Sequence, residues 1–177
     1  VIRELSVYEI NITTAEETVL NKIVSVKKPT HRNTNYSISD FTVSAEGKLH
    51  AQGFLYLYGT DHTAEHAPAY TLYFLKEGKV VASEVLDVTE GLYDVTDFIA
   101  NSTNSYSHAW FEKEVDLSIL ETGKYTVYVG IGVDEYNDFF QMYDSYAQYA
   151  SSIEASGTTY VIEETVNNHR ISLRVGR

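Results

Sequence analysis

The side chains with the greatest chemical capacity gather in two short stretches. The first is Asp61-His62-Thr63-Ala64-Glu65-His66, where imidazoles and carboxylates stand close together. Asp61, His62 and His66 are residue types that ligate zinc or another transition metal. Pro68 follows closely, which argues for a loop rather than a helix. On a loop, a hydrated polar turn accounts for the same residues. The second stretch is Asp134-Glu135-Tyr136-Asn137-Asp138. Asp134 and Asp138 offer oxygen ligands of the kind calcium takes. The EF-hand pattern is absent, with no glycine at the turn and no closing glutamate. Calcium therefore stays open as an ion for this chain, beside the reading of an acidic hydrated turn. No other cofactor is indicated.

The second stretch runs into a cluster of rings: Tyr136, Phe139, Phe140, Tyr143, Tyr146 and Tyr149, beside Asp138 and Asp144. Aromatic faces stack on sugar rings, and carboxylates accept hydrogen bonds from sugar hydroxyls. Tyr136, Asp138, Tyr143, Asp144 and Tyr146 are thus the candidate ligand-binding set. At helical spacing, Phe139, Met142, Tyr143, Tyr146 and Tyr149 form a packing stripe instead. The whole stretch 134–156 reads as a long insertion between strands, partly helical over 142–152 and dispensable for folding.

Catalytic constellations are not found. A glycosidase needs two carboxylates facing each other across a cleft. With 25 acidic residues, such a pair is available by chance and carries no information. The Gly-x-Ser-x-Gly turn of a serine hydrolase is missing, and so is a glycine-rich phosphate loop. No catalytic residue is assigned.

Composition narrows the partners. The 177 residues carry 13 Lys and Arg against 25 Asp and Glu, a net charge of −12. That field repels phosphate backbones and anionic lipid heads, so nucleic acid and membrane surfaces are not expected partners. There is no cysteine, which excludes disulfides, zinc–thiolate sites and a cysteine nucleophile. No apolar run approaches the ~20 residues of a membrane span. The chain opens on Val1-Ile2-Arg3 without an initiator Met, and is read as a segment of a longer protein. Tyrosine is abundant, at 15 residues. It suits half-exposed strands, and equally a binding surface, where it offers area and a hydroxyl at low entropic cost.

The elements that must position these residues are strands. Along 124–133, Tyr125, Val127, Val129, Ile131 and Val133 alternate with Thr126, Tyr128, Gly130 and Gly132. The same period of two runs through Ala109, Phe111, Val115 and Leu117, and through Ile171, Leu173 and Val175. One apolar and one polar face mark an antiparallel sheet with one side in water. Further strands are expected at 7–12, 19–28, 37–44, 48–59, 69–76, 79–87 and 158–166. Glu46-Gly47 and Glu77-Gly78 suit tight hairpins, Glu121-Thr122-Gly123 another turn, and Asn167-Asn168 the closing one. A short helical turn is expected within 91–100, capped by Asp94 or Thr96. Residues 29–35 form the best flexible join, separating a segment 1–28 from a main domain over 29–177. The fold class read from these patterns is all-β: an antiparallel two-sheet sandwich, Ig-like or jelly roll, with one or two short helices.

Between Leu49 and Ile131 the motifs come in a particular order: Gly53-Phe54, Tyr70-Thr71-Leu72-Tyr73-Phe74, Asp94-Val95-Thr96, Ala109-Trp110-Phe111, then Val115 to Tyr125 (VDLSILETGKY). This stretch, about half the chain, resembles the Ig-like or jelly-roll β-sandwich modules of Gram-positive cell-surface and wall-associated proteins. The resemblance implies a non-catalytic spacer, adhesion or wall-polymer-binding role outside the cell or on its surface. The expected partner is a glycan or cell-wall polymer, or another surface protein. The rival readings are a carbohydrate-binding module that uses the tyrosine-rich stretch 134–156, and a small glycan-active enzyme.

Overall fold

The computed structural model describes residues 34–91, 94–99, 102–143, 148–165 and 168–177. The segment 1–28, its expected strands at 7–12 and 19–28, and Asp144 and Tyr146 lie outside them. The described residues form ten strands: β1 (Thr34–Val43), β2 (Lys48–Leu57), β3 (Ala69–Lys76), β4 (Lys79–Thr89), β5 (Trp110–Asp116), β6 (Gly123–Val133), β7 (Tyr136–Gln141), β8 (Ser151–Ala155), β9 (Thr158–Glu164) and β10 (Ile171–Gly176). All pairings are antiparallel.

The all-β antiparallel class is the one the alternating patterns indicate. The strands are not divided into two hydrogen-bonded sheets, however. One path joins them in the order β1-β2-β5-β4-β3-β6-β10-β9-β8, with β7 also on β6. The sheet curls until it nearly closes into a barrel. Its narrowest join is β4 to β5, where only Asp87–Thr89 pair with Trp110–Glu112. One edge of β6 is shared: Gly123–Thr126 pair with β10, and Tyr128–Val133 pair with β7.

The inward side is set by the period of two. Tyr125, Val127, Val129, Ile131 and Val133 of β6 are buried, as are Phe111, Val115 and Leu173. They share one core with Phe41 of β1, Leu49 and Leu55 of β2, and Leu72 and Phe74 of β3. A second, smaller core lies outside the barrel wall. There Tyr56 of β2 meets Val95, Tyr106, Ala109 and Trp110 from the β4–β5 connection and the start of β5. That connection holds the one helical turn expected within 91–100. It is a 3₁₀ turn over Val95–Phe98, with the Asp94 carboxylate accepting the Thr96 N–H at 2.9 Å.

Turn chemistry explains the hairpins. Glu77 and Gly78 both take positive φ (53° and 77°), the conformation that matches strand twist in a two-residue turn. Ser156 and Gly157 do the same between β8 and β9 (52° and 76°).

The stretch 134–156 departs from expectation. It is not an excursion added to a finished fold. Asp134 and Glu135 turn the chain straight back, and β7 pairs with β6 from Val133↔Tyr136 to Tyr128↔Gln141. Residues 151–155 are β8 rather than the end of a helix, paired with β9. Among the described residues no α-helix occurs. Tyr136, Phe139 and Phe140 in β7 and Ile153 in β8 stand in ladders, which aromatic and β-branched side chains favour.

Candidate ligand-binding site

The barrel stays open along one seam. The free edge of β1 faces β7 and the chain around Tyr143 and Tyr149, and side chains replace the missing ladder there. Thr34 Oγ1 donates to the Asp138 carboxylate. The Tyr36 hydroxyl donates to the Tyr143 carbonyl and accepts its N–H, both at 2.7 Å. Deeper in, the Tyr149 hydroxyl donates to the Ile38 carbonyl at 3.0 Å.

Above these ties lies a groove of about 500 Å³ lined by Thr34, Tyr36, Asp138, Phe140, Gln141, Tyr143 and Arg170. Register places them. In the β6–β7 pair, Asp138 stands opposite Ile131 and Phe140 opposite Val129, so both point to the barrel's inner side. Because the seam is open, that side reaches solvent, and both remain half-buried. The rings touch: Tyr36 lies 4.7 Å from Phe140 at 41°, and 4.8 Å from Tyr143 at 82°. Tyr143 keeps 46% of its surface exposed. Its main chain also bridges to Arg170. The Arg170 guanidinium donates to Gln141 Oε1 at 3.1 Å. The groove thus combines an aromatic wall with one carboxylate, one amide and one guanidinium. Such a mix orients a small polar ligand with an apolar face.

Of the expected ligand-binding set, Asp138 and Tyr143 line this groove. Tyr136 packs partly buried against the main core instead, and Tyr149, from the same ring cluster, is buried. Phe140 belongs to the ring cluster named from sequence, whereas Tyr36, Thr34, Gln141 and Arg170 are lining residues that the sequence does not single out. Tyr36 and Arg170 lie far from the tyrosine-rich stretch, and only the seam brings them to it.

The expected metal ligands are scattered. His62 is fully buried beside Tyr56 and Tyr106. Its Nε2 accepts the Leu57 N–H at 3.1 Å, so Nδ1 carries the proton and donates to the Thr60 carbonyl at 2.9 Å. Burial pushes its pKa down to about 4, which keeps the ring neutral. His62 therefore acts as a loop clamp, with both nitrogens engaged by the main chain. Asp61 accepts the Ser105 N–H at 2.8 Å and the Asn104 amide at 3.4 Å. That main-chain hydrogen bond is the chief reason its pKa is lowered. His66 and Asp134, from the two separate stretches, do meet: Nδ1 lies 3.0 Å from Oδ2. The hydrogen bond to Asp134 raises the pKa of His66. Asp138 is apart, in the seam. Among the described residues no group of three or more His, Asp or Glu side chains gathers as a metal site requires. No described helix is long and apolar enough to cross a membrane.

No protein-family model matches the chain, and no curated protein and no solved structure matches it.

Proposed function

We propose that this chain is a non-catalytic binding module of a secreted or cell-surface bacterial protein, and that it binds a glycan at the seam groove. The observation that carries the reading is the groove's wall. Three rings, Tyr36, Phe140 and Tyr143, are in mutual contact through Tyr36, with Asp138, Gln141 and Arg170 around them. A sugar ring has an apolar face for the rings and hydroxyls for the carboxylate, amide and guanidinium. A spacer domain requires no such groove. The extracellular placement and the bacterial-surface class rest on the order of strand and turn motifs between Leu49 and Ile131.

A glycan array of neutral and anionic glycans, probed with the wild type, Tyr143→Ala and Arg170→Ala, tests the reading. The expected result is retention of at least one neutral glycan, weakened about tenfold or more in either variant. Equal retention by all three proteins rules out the groove as the site. Retention of no glycan leaves a spacer or adhesion role for the chain.

A further inference from the structure

The groove does not end at the seam. Gln141, which lines it, stands opposite Tyr128 in the β6–β7 pair, on the outer side of the barrel. From there a band of rings crosses three neighbouring strands. Tyr128 of β6 stacks with Phe139 of β7 at 4.7 Å and 16°. Tyr73 of β3 meets Phe139 edge-on at 5.1 Å and 73°. All three are only half-buried. Between them sits Gly130, opposite Phe139 and next to Thr71 in the sheet. A Cβ added there would stand 3.0 Å from Tyr73 Cε2, so the Tyr73 ring lies down over the bare backbone. The tyrosine hydroxyls of Tyr73 and Tyr128 bond no described residue.

Outward side chains of a barrel in water are ordinarily polar. Thr71, Thr126 and Gln141 keep to that rule, while Val85 of β4, opposite Thr71, is exposed and extends the apolar outer face; packing of the inner core explains neither it nor the rings. The band spans β7 to β3, about two strand spacings or roughly 10 Å. It is low and flat, because Gly130 and Gly132 remove the side chains that would break it up.

Taking the glycan reading of the seam groove as its basis, we propose that Phe139, Tyr128 and Tyr73 form extension subsites. The ligand is then an extended, neutral oligosaccharide that passes from the groove over Gln141 onto the outer face. A chain end or one sugar occupies the groove, and later sugars stack on the band. A polyanionic glycan is disfavoured by the charge of −12.

Two neutral series serve as probes: cello-oligosaccharides and chitin oligosaccharides, dimer against hexamer, measured by calorimetry on the full chain. In at least one series the hexamer should bind about tenfold tighter than the dimer, the gain aromatic stacking supplies. Tyr128→Ala and Phe139→Ala should remove that gain and leave dimer affinity unchanged, while Tyr143→Ala should weaken both. Tyr128→Phe, which keeps the ring, should retain the gain and controls for folding. If the wild type binds dimer and hexamer equally, the extension subsites are refuted and the groove reading stands. If neither length in either series binds, the groove reading fails for neutral β-linked chains and the extension falls with it.

Discussion

Tyr36 and Tyr143 hold the barrel seam together although 107 residues separate them: one phenol hydroxyl serves both main-chain groups of Tyr143, each at 2.7 Å. A β-bridge would use a backbone N–H and C=O on each side. Here a side chain supplies both partners from across the gap, so the seam can stay wide enough for a groove.

Removing that hydroxyl tests the arrangement. Tyr36→Phe keeps the ring contacts with Phe140 and Tyr143 but leaves the Tyr143 N–H and carbonyl to water. We expect a loss of about 1 kcal/mol, small because Tyr143 is exposed. Amide exchange at Tyr143 should accelerate, with protection in the β6–β10 pair unchanged. Unaltered exchange at Tyr143 would show that the seam is held by other contacts.

Stability should pass through a maximum near neutral pH. His50 sits between two carboxylates, with Nδ1 3.0 Å from Asp40 and Nε2 3.1 Å from Glu112. Lys48 and Glu114 pair beside it on the same face. Both nitrogens face acceptors, so only the imidazolium satisfies them. Partial burial lowers its pKa, but the hydrogen bonds to Glu112 and Asp40 outweigh burial and leave it above the usual 6.5. Its contribution is therefore complete below 6.5 and is lost as pH rises through the folded value. His62 acts with the opposite sign. Depressed to about 4, it contributes fully above 6.5 and loses that contribution as pH falls towards 4, about 3 kcal/mol in all. Melting temperatures from pH 4 to 9 should show both arms. His50→Gln should flatten the alkaline arm, worth at most about 1 kcal/mol for so exposed a network, and spare the acid arm.

Gly91 is the backbone position least able to accept a side chain. It has φ +68°, and an added Cβ would lie 1.9 Å from Trp110 Cγ. Gly91→Ala should cost about 1–3 kcal/mol through strain and displacement of the ring. Trp110 is the only tryptophan in the chain, so its fluorescence reports the change directly. An unshifted urea midpoint with an unshifted emission maximum would contradict the placement.

Replacing residues 135–155 with a short glycine turn should prevent folding. The replacement removes β7 and β8, exposes the β6 edge, and takes Met142 and Tyr149 out of the core. Circular dichroism and the Trp110 signal should show a largely unfolded chain. A cooperative melt near the wild-type temperature would mean that the stretch is accessory after all. The single change Val129→Asp tests the same core from β6. An unpaired charge at this buried position should cost about 3–5 kcal/mol, a large share of an ordinary domain's stability.

By itself the sequence determined which side of each strand faces inward. Alternation is a local property, because a pleated strand turns successive side chains to opposite faces whatever it pairs with. Hence Tyr125 to Val133, Phe111, Val115 and Leu173 were legible as core, and the glycine-marked hairpins at Gly47 and Gly78 as turns. Strands β7 and β8 were not. Every residue of β7 is half-buried, since it borders the open seam on one face and the aromatic band on the other, and this erases its alternation. Its turn, Asp134-Glu135, lacks the glycine that marked the other hairpins. Asp138 and Tyr143 could be nominated from residue type alone. Tyr36 and Arg170 could not, because their place in the groove depends on how far the sheet curls. Curl sums small twists over all the strands, and no local window of the chain records that sum. The same limit hid the fate of His62. Residue type made it a metal ligand, while burial and two main-chain partners, supplied by the tertiary structure, made it a neutral clamp.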